Sequence, residues 1–266
     1  MTSFTPLDPQ GLQSALPDMR VAYFDEIDST NSHLMQLGHD AANVLAVAEM
    51  QTGGRGRRQR SWISPYRRSL SISFGWPTRL KLNELGGLSC VVGLGVAAAL
   101  RACGAPLVGL KWPNDVLYQG QKLCGILIEL VGGIAQTTVV VGIGVNVELT
   151  DAEIEEVSQP VIDLRRLGVT CARQTVLETI VQEVWQRLSV FETEGFAAFS
   201  AEFNQMHILH GQECDVFAGA MDAPQQISGR VEGVGADGAL LLRSAEGVQA
   251  FHGGEVSVRR SESSIP

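Results

Sequence analysis

Leu107–Val147 reads LVGLKWPNDVLYQGQKLCGILIELVGGIAQTTVVVGIGVNV. Four strands are expected in it, at Leu107–Lys111, Val116–Tyr118, Lys122–Val131 and Thr137–Val147, because apolar and β-branched residues dominate each run. Gly120 and the Gly132-Gly133 pair mark hairpin turns between them. Upstream, Leu82–Cys103 fits a buried helix with Leu85, Leu88, Val92, Val96 and Leu100 on one face, ended by Gly104. Val21–Asp25, Val44–Met50 and Ser69–Gly75 read as strands, the last alternating with Leu70, Ile72 and Phe74 on one face. The capping cluster Asp28-Ser29-Thr30-Asn31 starts a short helix to about Leu37, stopped at Gly38. Downstream, Thr150–Glu156 reads as an acidic link and Thr175–Phe191 as an amphipathic helix. After Gly211 come short strands at Cys214–Phe217, Ile227–Val234, Ala239–Arg243, Val248–Phe251 and Glu255–Arg259, with a hairpin signal at Asp237-Gly238. An α+β domain over residues 1–210 and a small β-barrel over 211–266 are expected.

The 266 residues are 45% hydrophobic and 18% charged, enough apolar material for a sizeable core without disulfide staples. A net charge of −9 argues against duplex nucleic acid as the main partner. The five cysteines, Cys90, Cys103, Cys124, Cys171 and Cys214, form no C-x-x-C unit, and their odd number argues against a closed disulfide framework. Met1–Arg20 has no apolar core behind basic residues, so no secretory signal is read. The most apolar stretch, Leu88–Leu100, is too short to span a bilayer. A reduced, cytoplasmic protein free of membrane is expected.

Charge is unevenly distributed. Gln51–Asn83 holds no Asp or Glu but eight of the twenty positive charges: Arg55, Arg57, Arg58, Arg60, Arg67, Arg68, Arg79 and Lys81. Within it, Gly53-Gly54-Arg55-Gly56-Arg57-Arg58 combines exposed backbone N–H groups with planar guanidinium donors, a pattern suited to phosphate or carboxylate. The same loop could equally be a solvated basic segment. Lys111-Trp112-Pro113-Asn114-Asp115 sets an apolar wall and polar groups on a fixed turn, or is simply a turn. Lys122 opens a buried strand, which is costly unless the ammonium meets an anion or points to solvent. Gly142-Ile143-Gly144-Val145-Asn146 places glycines on a strand that another group approaches closely; without G-x-G-x-x-G or a P-loop lysine, it is not a nucleotide fingerprint.

Taken in order, Ser29-Thr30-Asn31, Gln51, Gly54-Arg55-Gly56-Arg57-Arg58, Lys111-Trp112-Pro113-Asn114-Asp115, Lys122-Leu123 with Gly125-Ile126-Leu127, and Gly142-x-Gly144-x-Asn146 resemble the biotin protein ligases. The resemblance runs from about Val21 to Arg259 and includes Gly253-Gly254-Glu255 near the end. It implies a class II synthetase-like mixed β-sheet with helices, then an SH3-like barrel. It also implies ATP, biotin and Mg²⁺: biotin and ATP give biotinyl-5′-AMP and pyrophosphate, and biotin then passes to a lysine of a biotin carboxyl carrier protein, an acetyl-CoA carboxylase subunit. By resemblance, Ser29, Thr30, Asn31 and Gln51 meet the ring of biotin. Gly54, Arg55, Gly56 and Arg57 belong to the loop that folds over biotin and its adenylate. Lys122 meets the biotin carboxylate or the α-phosphate, and Leu127 and Gly144 form the pocket floor. Arg57, Arg58, Arg60, Trp62, Asn114, Asp115 and Asn146 are expected at the nucleotide, with Arg57 and Lys122 closest to the chemistry; the metal ligands stay unassigned.

Gln59 departs from the family glycine that follows the paired arginines, which at positive φ would cost ~1–2 kcal/mol. Some twenty residues precede the first strand, too few for a winged helix-turn-helix, so a ligase-only type without specific DNA binding is expected. A homodimer is compatible with the sequence. The competing enzyme reading is a lipoate or octanoate ligase of the sister fold, and the competing non-enzyme reading is an RNA-binding module using the Gln51–Lys81 cations.

Overall fold

Asp8 accepts the Gln10 amide and Pro9 opens a short helix, α1 (Pro9–Ala15), which the sequence reading lacked: its seven residues bury only Leu12 and so show no apolar period. The structure, a computed structural model, describes residues 5–132, 137–219, 225–253 and 256–261. Strand β1 (Arg20–Ile27) leads into α2 (Thr30–Leu37), where the Ser29 side chain accepts the Ser32 amide and Gly38 ends the helix at φ +62°. β2 (Val44–Gln51) and β3 (Ser69–Thr78) follow. The expected helix from Leu82 starts later. Leu82–Glu84 is a single 3₁₀ turn, and α3 (Leu88–Ala102) begins only after Gly87, at φ +77°.

The opening stretch forms β4 (Gly109–Lys111), β5 (Asp115–Tyr118), β6 (Gln121–Gly132) and β7 (Thr137–Asn146). Gly120 takes a left-handed conformation at the first turn; the Gly132-Gly133 turn runs outside the described residues. The expected acidic link is instead a short helix, α4 (Asp151–Glu155), held by a reciprocal capping box between Thr150 and Glu153. α5 (Arg173–Glu194) buries Leu177, Ile180, Val181, Val184, Leu188 and Phe191 as its period requires, and α6 (Ser200–Met206) follows. The last strands are β8 (Glu213–Ala218), β9 (Gln225–Val234), β10 (Leu240–Ser244), β11 (Gly247–Phe251) and β12 (Val256–Arg260). Gly254 and Glu255 lie outside the described residues.

The first seven strands form one mixed sheet in the order β1-β2-β3-β7-β6-β5-β4, parallel only between β1 and β2. Leu70, Ile72 and Phe74 face α3 and α5 in the main core, as the alternation predicts. The other face of β3 is not solvated: Ser69, Ser71 and Ser73 are all buried. The last five strands form an antiparallel sheet, β11-β10-β9-β8-β12. The expected barrel closure is not seen: β11 and β12 stay at opposite edges among the described residues. One apolar core nevertheless runs through both sheets, including Leu94, Phe203, Val216 and Leu242. The β9–β10 hairpin tip docks on the start of α3, with Gly238 so close to Gly87 that a side chain would overlap it. No helix among the described residues is long and apolar enough to cross a membrane.

His207 sits buried at the junction of the two sheets, its ring 5.4 Å from that of Phe203. Neither ring nitrogen has a hydrogen-bond partner among the described residues. Burial, aided by His210 and Lys111, pushes its pKa down to about 3. The folded protein therefore holds the neutral ring, whereas the unfolded chain takes up a proton below about pH 6.5. Stability should fall as pH drops from about 6.5 toward 3, by at most ~1.4 kcal/mol per pH unit from this residue. Between pH 7 and 5, urea unfolding should show the parent losing ~2 kcal/mol more than His207→Phe. Equal losses in both proteins would assign the titration elsewhere.

Candidate functional site

Gly125 and Gly144 are cross-strand partners on β6 and β7, and Leu127 pairs with Gly142 two residues along. Two side chains use the space these glycines leave. The Trp62 indole lies on Gly144 and against Gly125, and the Asn31 carboxamide lies on Gly142; a Cβ on Gly144 or Gly142 would overlap them. Above this floor, Thr30, Gln51, Arg55, Arg57, Lys122 and Ser73 line one cleft together with Ser29, Gly56, Asn114 and Leu127.

One end of the cleft is a neutral hydrogen-bonded network. Gln51 Oε1 accepts from the Thr30 amide at 2.9 Å and lies 3.1 Å from Thr30 Oγ1. Thr30 Oγ1 is also 2.7 Å from Ser73 Oγ, and Ser73 donates to Asn31 Oδ1 at 2.6 Å. Two hydroxyl protons serve these three hydroxyl contacts, so one acceptor position stays open to a donor from a ligand. Asn31 Nδ2 in turn donates to Glu129 Oε2 at 2.9 Å.

The other end carries the cations. Lys122 Nζ sits 2.7 Å from Asp115 Oδ1, an ion pair without an aligned hydrogen bond, and 5.7 Å from the Trp62 ring centroid. The buried-lysine requirement is thus met partly from within the chain. Arg57 donates to Asn114 Oδ1 at 3.2 Å; burial lowers its pKa, opposed mainly by Asp115. Asn114 passes its own Nδ2 to the Ile126 carbonyl at 2.7 Å, which locks the turn onto β6. The Trp62 Nε1–H is buried and has no acceptor among the described residues, so it too is available to a ligand.

Several expected site residues lie elsewhere. Arg58 points out of the cleft and donates to Ser257 Oγ on β12 at 3.2 Å, and Arg60 is exposed on the protein surface. Asn146 commits both amide hydrogens to the carbonyls of Lys122 and Ile162, so it braces the floor beneath Lys122. Gly54 shapes the loop, where a side chain would strike the Trp62 carbonyl. Trp112 is no cleft wall: it is buried and donates from Nε1 to the Gly238 carbonyl at 3.1 Å, tying the motif turn to the second sheet. Arg58 and Gln59 both adopt positive φ, +56° and +57°, so the glycine-to-glutamine departure falls on a left-handed position. Ser73 and Glu129 were missed. Ser73 was legible as the polar phase of an alternating strand, and Glu129 as the lone charge in the apolar run Ile126–Val131. Among the described residues no three His, Cys, Asp or Glu side chains form a metal-binding group.

Residues 23–146 match the model of the Biotin/lipoate A/B protein ligase family, and residues 222–259 match that of the biotin protein ligase C-terminal domain. The chain is 34% identical over 244 residues to the bifunctional ligase/repressor BirA of Escherichia coli (strain K12), covering 91% of this chain and 75% of that protein. It is 30% identical to the biotin--[acetyl-CoA-carboxylase] ligase of Paracoccus denitrificans, over 86% of this chain and 96% of that one. Among solved structures, the biotin protein ligase from Aquifex aeolicus in complex with biotin and ATP superposes with a TM-score of 0.76 at 29% identity, covering 91% of this chain and 99% of that one. A cleft with a neutral polar end and a cationic end, in a chain related along nearly its whole length to these enzymes, makes this protein a member of the biotin protein ligase family.

Proposed function

We propose that the cleft binds biotin and ATP, forms biotinyl-5′-AMP and pyrophosphate, and passes biotin to a lysine of the biotin carboxyl carrier subunit of acetyl-CoA carboxylase. The observation that carries this reading is the polarity of the cleft. Biotin is a neutral ureido ring at one end and a carboxylate at the other, and the cleft offers Thr30, Gln51, Ser73 and Asn31 at one end and Lys122 and Arg57 at the other. Lipoate has no ureido group to meet these polar side chains, so the neutral end favours biotin over lipoate.

In the first step the biotin carboxylate attacks the α-phosphorus, and pyrophosphate leaves. Two anions must meet, so the Lys122 ammonium is the group positioned to hold the carboxylate against the phosphate. Arg57, held by Asn114, is the loop cation that closes over the product. Ser29, Gly56, Leu127 and Gly144 line the cleft with them, and Trp62, packed on Gly144 and Gly125 beside Lys122, is the aromatic for the adenylate. Magnesium bound to nucleotide takes one or two carboxylates and otherwise phosphate and water oxygens. Asp115, paired here with Lys122, is the candidate for that carboxylate, and the ion would supply charge neutralisation on the leaving pyrophosphate. In the second step the carrier lysine amine attacks the acyl carbon and AMP leaves. No cysteine relay is needed, and burial pushes the Cys90 and Cys124 thiols up, away from thiolate chemistry. Residues 1–210 would carry this chemistry and 211–266 the accessory sheet.

The decisive measurement is ATP–pyrophosphate exchange. It should depend on biotin and not on lipoate; exchange driven by lipoate alone would move the protein to the sister activity. The loop supplies a second expected result. Gln51–Arg60 gathers like charges on a glycine-containing segment, so bound adenylate should order it by neutralisation and new hydrogen bonds. Trypsin cleavage after Arg55, Arg57, Arg58 and Arg60 should slow markedly with a saturating adenylate analogue. Equal cleavage rates would remove the loop from the binding event.

A further inference from the structure

Glu129 Oε2 accepts from two partners: Asn31 Nδ2 at 2.9 Å and Arg55 Nη2 at 2.6 Å. The first belongs to the neutral end of the cleft, the second to the arginine–glycine loop. Asn31 is nearly fully buried, its Oδ1 receives the Ser73 proton, and Gly142 packs against its carboxamide. Its Nδ2 also reaches the Leu127 carbonyl at 3.5 Å, so the charged acceptor at 2.9 Å on Glu129 is the shorter of its two contacts and holds the amide more firmly. Arg55 is the countercharge that keeps this carboxylate in place, with side chains 42% and 22% exposed respectively. If the loop lifts, Glu129 loses its countercharge and is held only by Asn31, in competition with water. If Asn31 is held by a ring in the cleft, Glu129 stays in place and presents a fixed anion to Arg55.

We infer that Glu129 is a positioning residue that couples recognition of the biotin ring to seating of the loop. One carboxylate oxygen does both jobs, so the coupling is reciprocal: a ring that favours ordered Asn31 favours seated Arg55, and the reverse. Couplings of this kind change affinity by about 5–150-fold. The inference rests on the biotin reading above.

The test is a double-mutant cycle on biotin affinity without ATP, using calorimetry on the full chain with Glu129→Gln, Arg55→Gln and the double variant. Glutamine keeps an acceptor for Asn31 and removes only the charge that links it to Arg55. Each single variant should weaken biotin binding about tenfold, and the double variant about tenfold as well, because either change breaks the same link. Biotin alone should slow trypsin cleavage of the loop in the parent and have no effect in the three variants. Urea midpoints within experimental error of the parent would show that the folds are intact, and Arg55→Gln, on the exposed loop, keeps the test valid if Glu129→Gln is destabilised. Losses that multiply to about a hundredfold, or loop protection by biotin that persists in the single variants, would overturn the coupling and leave Glu129 a purely structural contact. A parent that binds no biotin would instead overturn the functional reading itself.

Discussion

Lys122→Ala is expected to slow biotin-dependent pyrophosphate release ~10²–10³-fold. The reason is geometric. Lys122 opens β6, a strand paired on both sides, so its ammonium is held beneath the cleft by a rigid element. A charge-assisted contact made where a carboxylate meets a phosphate is worth ~2–4 kcal/mol in the transition state. The ion pair with Asp115 adds a second consequence, since removing the lysine leaves that carboxylate beside the cleft without its partner. Recovery of activity on combining Lys122→Ala with Asp115→Asn would trace the loss to repulsion from Asp115, with Asp115→Asn alone as the control for loss of the magnesium carboxylate. Arg57→Gly should behave in the opposite way. It removes a loop contact to Asn114 and adds flexibility, so adenylate still forms but escapes, and a bystander protein is biotinylated on accessible lysines. Pyrophosphate release run beside bystander labelling distinguishes the variants: high labelling for Arg57→Gly, almost none for Lys122→Ala. Parent-rate adenylation by Lys122→Ala, or none by Arg57→Gly, would reverse the assignments.

Arg173→Met is expected to destabilise the fold by ~3–5 kcal/mol, a large share of a typical ~5–15 kcal/mol total. Arg173 and Glu49 form an ion pair at 2.8 Å with side chains 2% and 0% exposed. Arg173 also donates to the Ser69 carbonyl at 3.1 Å and the Thr5 carbonyl at 3.3 Å, while Glu49 accepts from the Leu7 amide at 2.6 Å. The pair thus joins the start of α5, strands β2 and β3, and the segment before α1. Removing the arginine alone strands a carboxylate in the core; the pair as a whole is worth far less, because desolvation offsets most of its attraction. Arg173→Met with Glu49→Gln should therefore recover much of the loss. Urea unfolding at neutral pH measures both, and a single-variant loss below ~1 kcal/mol would mean that water reaches the stranded carboxylate. Since Glu49 lies two residues before Gln51 on β2, the single variant should also disturb the neutral end of the cleft.

The amino-acid order alone determined the elements whose signals are local. The four strands of Leu107–Val147 follow from apolar runs and turn residues, α2 from the Ser29 cap and Gly38, and α5 from its apolar period. The glycines of β7 announced close neighbours without naming them. Tertiary structure decided which groups meet. Asn31 and Glu129 are 98 positions apart, Arg55 and Glu129 are 74 apart, and Trp112 reaches Gly238 across 126. No periodicity carries such pairings, because they are set by strand order and register, which place β6 beside β7 and bring α2 over both. The same reason explains the corrections. α3 could have begun at Leu82 on pattern alone, but the hairpin around Gly238 occupies the space beside Gly86 and Gly87. Ser71 and Ser73 look like the wet face of a strand until α2 and the loop cover them. The Thr150–Glu153 box was legible and was overlooked beneath its charge; the direction of Arg58, toward Ser257 on a strand about two hundred residues away, was not legible at all.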